Sequence, residues 1–577
     1  MRKYALALFM LACFLAPGAF LIFTVPQLYY AQIWFVITPL IGYAIFAVCA
    51  RGDTVFSERA LFITTLIVGA ALVPLLVNPH IWQQITFDIY GEMPLILWLM
   101  YPLVFFMAST VKFDSSVRPG IYALAYVGFL LIVVAGVQRL MMGDWSTVFG
   151  SRAYSTVAFA PIPLLLLYTA NLDKEHKPVH LAAAILAVVG VAYSGGALGL
   201  YTVAALLLLA VSFAPELLQM PTKATTWAKR GGRVLLTLFV TASAVVTFAP
   251  DLAHTMPDIA VFSSNAVATR IHLWEAAQRM FLAEPLFGFG PAGYRFSAIQ
   301  FYDPQIFEYT MTLGTDPIAY SSPSPHSLAW EVLTRLGLWG AVLLTAAAVV
   351  WAIDLREAIQ EKTRNNPRML FALCTLAALM ALFATPFHFA SGLLVALCAG
   401  LAIAPTARVT KARAPHSAPQ SLRFTNFLPV ALLATNLILV LIGGYALYAH
   451  INLHTPDPTP QHYLVRLENL RARVPGYPFA ERDYYEMLIV TAGAPQQQDA
   501  IAEEILTQAP SYVSGFGPNL AWYAGLMLDN LERWETDSVR STDSVVMVRA
   551  LLDCAAEIMP STPAYLEARE RLAVMVD

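Results

Sequence analysis

Runs of about twenty apolar residues recur along most of this chain, and no other feature restricts its fold as much. Leu61–Val77, Ile121–Val137 and Leu198–Phe213 carry no charged side chain at all. A bilayer core about 30 Å thick takes roughly 20 such residues per helix, and a backbone inside it must satisfy its own hydrogen bonds. Composition agrees: 58% of the 577 residues are hydrophobic and 13% charged, with a mean hydropathy of +0.61, outside the range of soluble globular chains. The expected architecture is all-α, a polytopic membrane helix bundle. Window scanning predicts about 13 spans, near 5–24, 31–50, 60–78, 94–111, 121–140, 155–171, 179–194, 197–214, 234–250, 329–352, 369–385, 389–404 and 425–449.

Basic residues set the orientation, because they gather in alternate loops. Arg51 and Arg59, Lys112 and Arg118, Lys174 and Lys177, Lys223 to Arg233, Arg356 to Arg368, and Arg408 to Arg423 read as cytoplasmic. The segments between them are poor in lysine, above all the long stretch from Asp251 to Leu328, and read as external. The first apolar run lacks a small-x-small cleavage pattern and reads as a retained anchor. Residues 1–450 thus form a membrane domain with an external loop over 251–328. A Pro-rich linker at 451–460 leads to an external, soluble helical domain over 461–577, where acids and Gln appear and apolar residues recur at helical intervals. Its six short amphipathic segments pair in the manner of tetratricopeptide-like repeats, although no consensus recurs at a fixed period. Cys13, Cys49, Cys374 and Cys398 fall in apolar runs and Cys554 stands alone outside, so no disulfide framework is expected.

Chemistry is concentrated where the lipid-like pattern breaks. Charges retained beside a membrane are costly and mark candidate sites. Arg152, in Phe149-Gly-Ser-Arg-Ala-Tyr-Ser155, stands at the mouth of the sixth run. Arg270 opens an amphipathic helix, with Ile271, Trp274, Ala277 and Gln278 on one face, which is expected to lie on the membrane surface. Two planar, permanently charged forks on one side of the membrane suit the oxygens of a diphosphate. His326 follows Ser321-Ser-Pro-Ser-Pro325, too rich in proline for a helix, and precedes the tenth run, so it should sit at a helix start. The helix dipole there disfavours imidazolium and leaves a neutral imidazole able to act as a base. Gly288 and Gly290 form a turn with no β-strand before it, so it is no nucleotide loop; such glycines permit a sharp bend or the close approach of a substrate. Asp303, Glu308 and Asp316 lack the close pairing of a divalent-cation site, and neither a metal nor another cofactor is expected.

The order of these residues resembles the O-antigen ligase and polymerase superfamily of bacterial membrane glycosyltransferases. Arg152, then Arg270 with Trp274 and Ala277, then Pro285-Leu-Phe-Gly-Phe-Gly290, then His326 with Leu333, Gly337, Leu338 and Gly340 follow its pattern over roughly residues 145–345. Ser327 stands where the family usually has Asn, Arg335 where Glu is common, and the turn Tyr193-Ser-Gly-Gly196 lacks a frequent Arg. The resemblance implies a GT-C-like bundle in the bacterial inner membrane with the C-terminal domain in the periplasm. It implies an undecaprenyl-diphosphate-linked glycan as donor, and as acceptor lipid A-core, a protein or a second lipid-linked glycan; nucleic acid has no part in it. In these terms Arg152 and Arg270 hold the diphosphate and His326 is the base for an inverting, metal-independent transfer. A polymerase joining lipid-linked repeat units is an alternative, and so is a glycan transporter or flippase. Transporters, however, place ionisable residues in broken helices near the midplane, and here the runs are nearly free of charge.

Overall fold

The computed structural model describes residues 57–77, 94–111, 117–142, 152–215, 222–248, 265–291, 293–302, 324–360, 366–383, 389–405, 459–473, 478–508, 517–534, 542–558 and 563–576, together with 7, 9–11, 13 and 218. The described elements are helices, without strands. In the apolar part these are α1 (Glu58–Val77), α2 (Pro94–Thr110), α3 (Arg118–Met142), α4 (Arg152–Phe159), α5 (Ile162–Leu172), α6 (Lys177–Gly195), α7 (Ala197–Phe213) and α8 (Thr222–Phe248). After them come α9 (Asn265–Ala283), the short α10 (Gly293–Ser297), α11 (Leu328–Gln360), α12 (Pro367–Leu382) and α13 (Phe389–Ile403). Among the described residues five helices are long and apolar enough to cross a membrane: Glu58–Val77, Arg118–Met141, Ser155–Leu172, Ala224–Phe248 and Leu328–Arg356. Shorter apolar helices occupy Met100–Thr110, Lys177–Tyr193, Leu198–Phe213, Pro367–Leu382 and Gly392–Ile403. The expected spans at 31–50 and 425–449, and most of that at 5–24, lie outside the described residues.

The bundle is ordered around the α4–α5 segment, the most buried of the five long candidates. Pro161 interrupts it, since a proline has no amide to give and helix α5 begins afresh just behind it. Helix α4 packs against α6, α7, α12 and α13. Helices α1 and α11 run side by side: Arg59 pairs with Asp354 at one end, and the Trp339 indole N–H donates to the Gly69 carbonyl (3.1 Å) further along. That ion pair lies at the first turn of α1 and near the last turns of α11, so the start of α11 lies at the other end of this pair of helices.

The predicted tenth span differs in one respect. Helix α11 is not continuous, for Gly337 inside it has φ 62 and ψ −163, which divides it into a first stretch, Leu328–Leu336, and the longer remainder. Its position also explains the break. A Cβ on Gly337 would lie 2.4 Å from the Leu286 carbonyl oxygen and 2.7 Å from the Gly288 nitrogen, so another backbone crosses there.

The C-terminal residues form α14 (Pro460–Arg473), α15 (Pro478–Thr491), α16 (Pro495–Gln508), α17 (Gly517–Trp534), α18 (Thr542–Ile558) and α19 (Pro563–Val576). Proline opens four of the six, where its missing amide costs nothing and its fixed φ is already helical. Neighbours pack in sequence, α14 on α15 and α17 on α18, with α16 on α18 and α17 on α19. Their apolar faces, including Tyr485, Tyr523, Met527 and Leu551, belong to one buried cluster with Leu273, Trp274 and Met280 of α9. Cys13, Cys374, Cys398 and Cys554 are free thiols.

Candidate functional site

The site is built where α9, the turn after it and the start of α11 meet. Helix α9 buries Ile271, Leu273, Trp274, Ala276, Ala277 and Met280. The periodicity expected from the sequence is present, but this face is covered by protein and not by a membrane surface. Tyr294, Ala298, Tyr302 and Trp330 pack against it. The amphipathic pattern states only that the face is covered; the covering partners come from far along the chain. At its far end Arg279 donates through Nε to the Phe301 carbonyl (3.0 Å), tying α9 to the segment behind the turn.

Next comes the turn Pro285–Gly290, and it is a clasp. Gly288 (φ 63) and Gly290 (φ 86) adopt the left-handed region. Phe289 N–H donates to the Thr334 carbonyl (2.9 Å), Leu338 N–H to the Pro285 carbonyl (2.9 Å) and Trp339 N–H to the Leu286 carbonyl (3.0 Å). The turn thus supplies partners that the broken helix α11 lacks at Gly337. A Cβ on Gly288 would stand 2.6 Å from the Thr334 carbonyl oxygen. The close approach expected here is made at Gly288 by the backbone of α11. Arg335 completes the clasp, pairing with the buried Glu331 one turn earlier and donating through Nη1 to the Pro291 carbonyl (3.0 Å). Where the resembling family commonly has Glu, this chain has a cation with its counter-charge supplied at i−4, an i,i+4 pairing legible in the sequence. Burial, with Tyr302 and Glu331 nearby, pushes the Tyr294 phenol well above its usual range.

The start of α11 carries His326. It is the one described non-glycine residue with positive φ, 57, a conformation costing an L-residue roughly 1–2 kcal/mol. Its amide donates to Ser324 Oγ (3.0 Å), and Trp330, one turn on, donates through Nε1 to the Thr247 carbonyl (2.9 Å) at the end of α8. The imidazole Nδ1 is buried and has no hydrogen-bond partner among the described residues. Burial first, and then the charge of Arg270, lower the imidazole from 6.5 to about 3, so it is neutral at physiological pH. The Arg270 guanidinium is itself lowered by burial. Residues separated by more than fifty positions in the chain are thus electrostatic neighbours.

Arg152 is the first residue of α4; its side chain lies outside the described residues. The backbone position can be given. Val157, on the same short helix, packs with Ala378, Ala381 and Leu382 in a cluster that also takes Leu328, two residues after His326. The start of α4 and the start of α11 therefore share one end of the bundle. At that end, too, is the turn between α6 and α7: a Cβ on Gly195 would come 2.4 Å from Thr156 Oγ1. Asp303, Glu308 and Asp316 lie outside the described residues. Among the described residues no group of three or more His, Cys, Asp or Glu side chains is arranged to hold a metal ion.

Sequence reasoning noted Ser327 only as a departure from the family's Asn, and it passed over Glu331. Ser327 is fully buried at the N-cap position of α11, accepting the first helical bond from Glu331 N–H through its carbonyl (2.9 Å). It is legible as a serine ahead of an apolar run, the usual signal of a helix start. Compared with known proteins, the chain matches no family model and no curated protein.

Proposed function

We propose that the chain is a membrane glycosyltransferase of the O-antigen ligase type. In this reading it is a 13-span, GT-C-like protein of the bacterial inner membrane with residues 461–577 in the periplasm. It moves a glycan from an undecaprenyl-diphosphate carrier to an acceptor hydroxyl at the external face. One observation carries the reading: Arg270 and His326, remote in sequence, are electrostatic neighbours beside the start of α11, a cation next to a neutral imidazole.

The acceptor oxygen forms a bond to the anomeric carbon while the bond from that carbon to the phosphate oxygen breaks. The acceptor proton passes to His326, and the diphosphate leaves with the bonding electrons. Arg270, with Arg152 at the same end of the bundle, pairs with the charge that develops on the leaving group, which favours the transition state over the ground state. The low proton affinity of His326 fits an ordered sequence. A bound diphosphate offsets the field of Arg270, so the imidazole becomes a stronger base only once the donor is in place. Attack from the face opposite the phosphate inverts the anomeric centre.

The decisive experiment is transfer from purified undecaprenyl-diphosphate glycan by the full-length protein in detergent, comparing wild type with His326→Asn. Asparagine tolerates a positive φ but takes up no proton. Transfer at the wild-type rate by a folded His326→Asn protein discards the reading.

A further inference from the structure

The start of α11 holds two buried polar atoms that the described protein leaves unanswered. Ser327 is at the N-cap, and a serine there ordinarily turns its hydroxyl back to accept from the second or third amide of its helix. This one does not: Ser327 is fully buried and its Oγ has no hydrogen-bond partner among the described residues. The adjoining His326 Nδ1 is likewise buried without a partner. Burying such groups unsatisfied is costly, and native proteins keep few of them. Both flank the first amides of a helical stretch, Leu328–Leu336, whose dipole presents positive charge, and the Arg270 guanidinium is the neighbouring cation. A hydroxyl and the first amides at one helix start, with a guanidinium whose charge reaches the adjoining imidazole, are the kinds of donor that hold a phosphate oxygen.

We propose that Ser327, with the first amides of α11, is an oxyanion-binding element that grips a phosphate oxygen of the donor's diphosphate beside Arg270. The inference rests on the glycosyltransferase reading and adds to it a ligand-contacting residue. It gives the uncapped serine a purpose. The hydroxyl that would close the helix end is held for the ligand, and the backbone amides stay open to it. Phosphate oxygens could come from the prenyl diphosphate carrier or from an ordinary phospholipid headgroup; a diphosphate has the charge to engage the helix end and Arg270 at once.

The test uses full-length protein in detergent micelles, with undecaprenyl diphosphate and phosphatidylglycerol as separate probes, each titrated by intrinsic tryptophan fluorescence. Wild type is expected to bind the diphosphate and to prefer it strongly over phosphatidylglycerol. Ser327→Ala is expected to weaken diphosphate binding about tenfold, the worth of one hydrogen bond to a charged group. Ser327→Thr, which keeps the hydroxyl, should stay close to wild type, and Ser327→Asp should abolish binding by like-charge repulsion. A merely structural serine would shift the melting temperature of the Ala variant and leave its affinity alone. Wild-type affinity in both Ala and Asp variants, with binding still lost in Arg270→Ala, overturns this inference and spares the wider reading. Absence of diphosphate binding by the wild type overturns both, and equal binding of phosphatidylglycerol overturns the assignment to the donor.

Discussion

Replacing Gly337 by alanine should release the clasp that joins α9 to α11, and its cost can be worked out from the geometry. With φ 62 and ψ −163 the residue occupies a region that is essentially glycine's alone, costing another residue about 1–3 kcal/mol. The added Cβ would meet the Leu286 carbonyl oxygen at 2.4 Å, and this neighbour is backbone, with no rotamer to retreat into. Either Gly337 is driven out of position or the turn lifts away. Lifting breaks the three bonds made by the Phe289, Leu338 and Trp339 amides, each worth about 0.5–1.5 kcal/mol net. Full undocking therefore costs on the order of 3–7 kcal/mol. Glu284, Pro285 and Leu286 are exposed, so the loss should be local, an opened turn on a bundle that remains folded. The control is Gly136→Ala, in α3, where a Cβ meets nothing within 4 Å and alanine should be neutral or gain about 0.5–1 kcal/mol. Limited proteolysis between Glu284 and Gly293, run beside a thermal melt in detergent, separates the outcomes. Gly337→Ala should be nicked rapidly there with a modest fall in melting temperature, while Gly136→Ala resists like wild type. Equal resistance in both variants would refute the clasp.

Four other outcomes follow from the same geometry. His326→Asn should transfer about 10²–10⁴-fold more slowly than wild type while still binding donor, read by single-turnover kinetics beside a donor titration. Arg270→Lys keeps the charge but loses the planar fork, so transfer should fall by the equivalent of roughly 2–4 kcal/mol, with Arg270→Ala worse; full activity in the Lys variant would argue against fork recognition of the diphosphate. The His326 imidazole is lowered from 6.5 to about 3, so between those values the unfolded chain binds the extra proton and stability is lost as pH falls. At pH 5 the penalty is about 2 kcal/mol, and melts at pH 5 and 7.5 should show a larger drop for wild type than for His326→Asn. Reporter fusions after Arg233 and Arg423 should read cytoplasmic and those after Pro460 external, and an external reading after Arg423 would remove the C-terminal helices from the acceptor side.

What the amino-acid sequence determined by itself was local and periodic. Apolar runs marked helices among the described residues, five of them long and apolar enough to cross a membrane, because a helix bonds to its own backbone and needs no distant partner. Amphipathic spacing marked six C-terminal segments, and six helices lie between Pro460 and Val576, for the same reason: an apolar face is set by residues one turn apart. Arg152, Arg270, His326 and the two glycines were visible as charge and turn residues breaking a lipid-like pattern. The tertiary structure alone decided what those residues meet. That α9 lies against protein, that Gly288 exists to pass Gly337, that Arg335 reaches the Pro291 carbonyl and that burial and the charge of Arg270 together lower the proton affinity of His326 all depend on contacts between segments far apart in the chain. A glycine in a sequence says that some backbone must come close, and an arginine that some charge must be answered. Which backbone and which charge follow only from packing, because sterics and electrostatics act through space and a linear pattern records position along the chain alone.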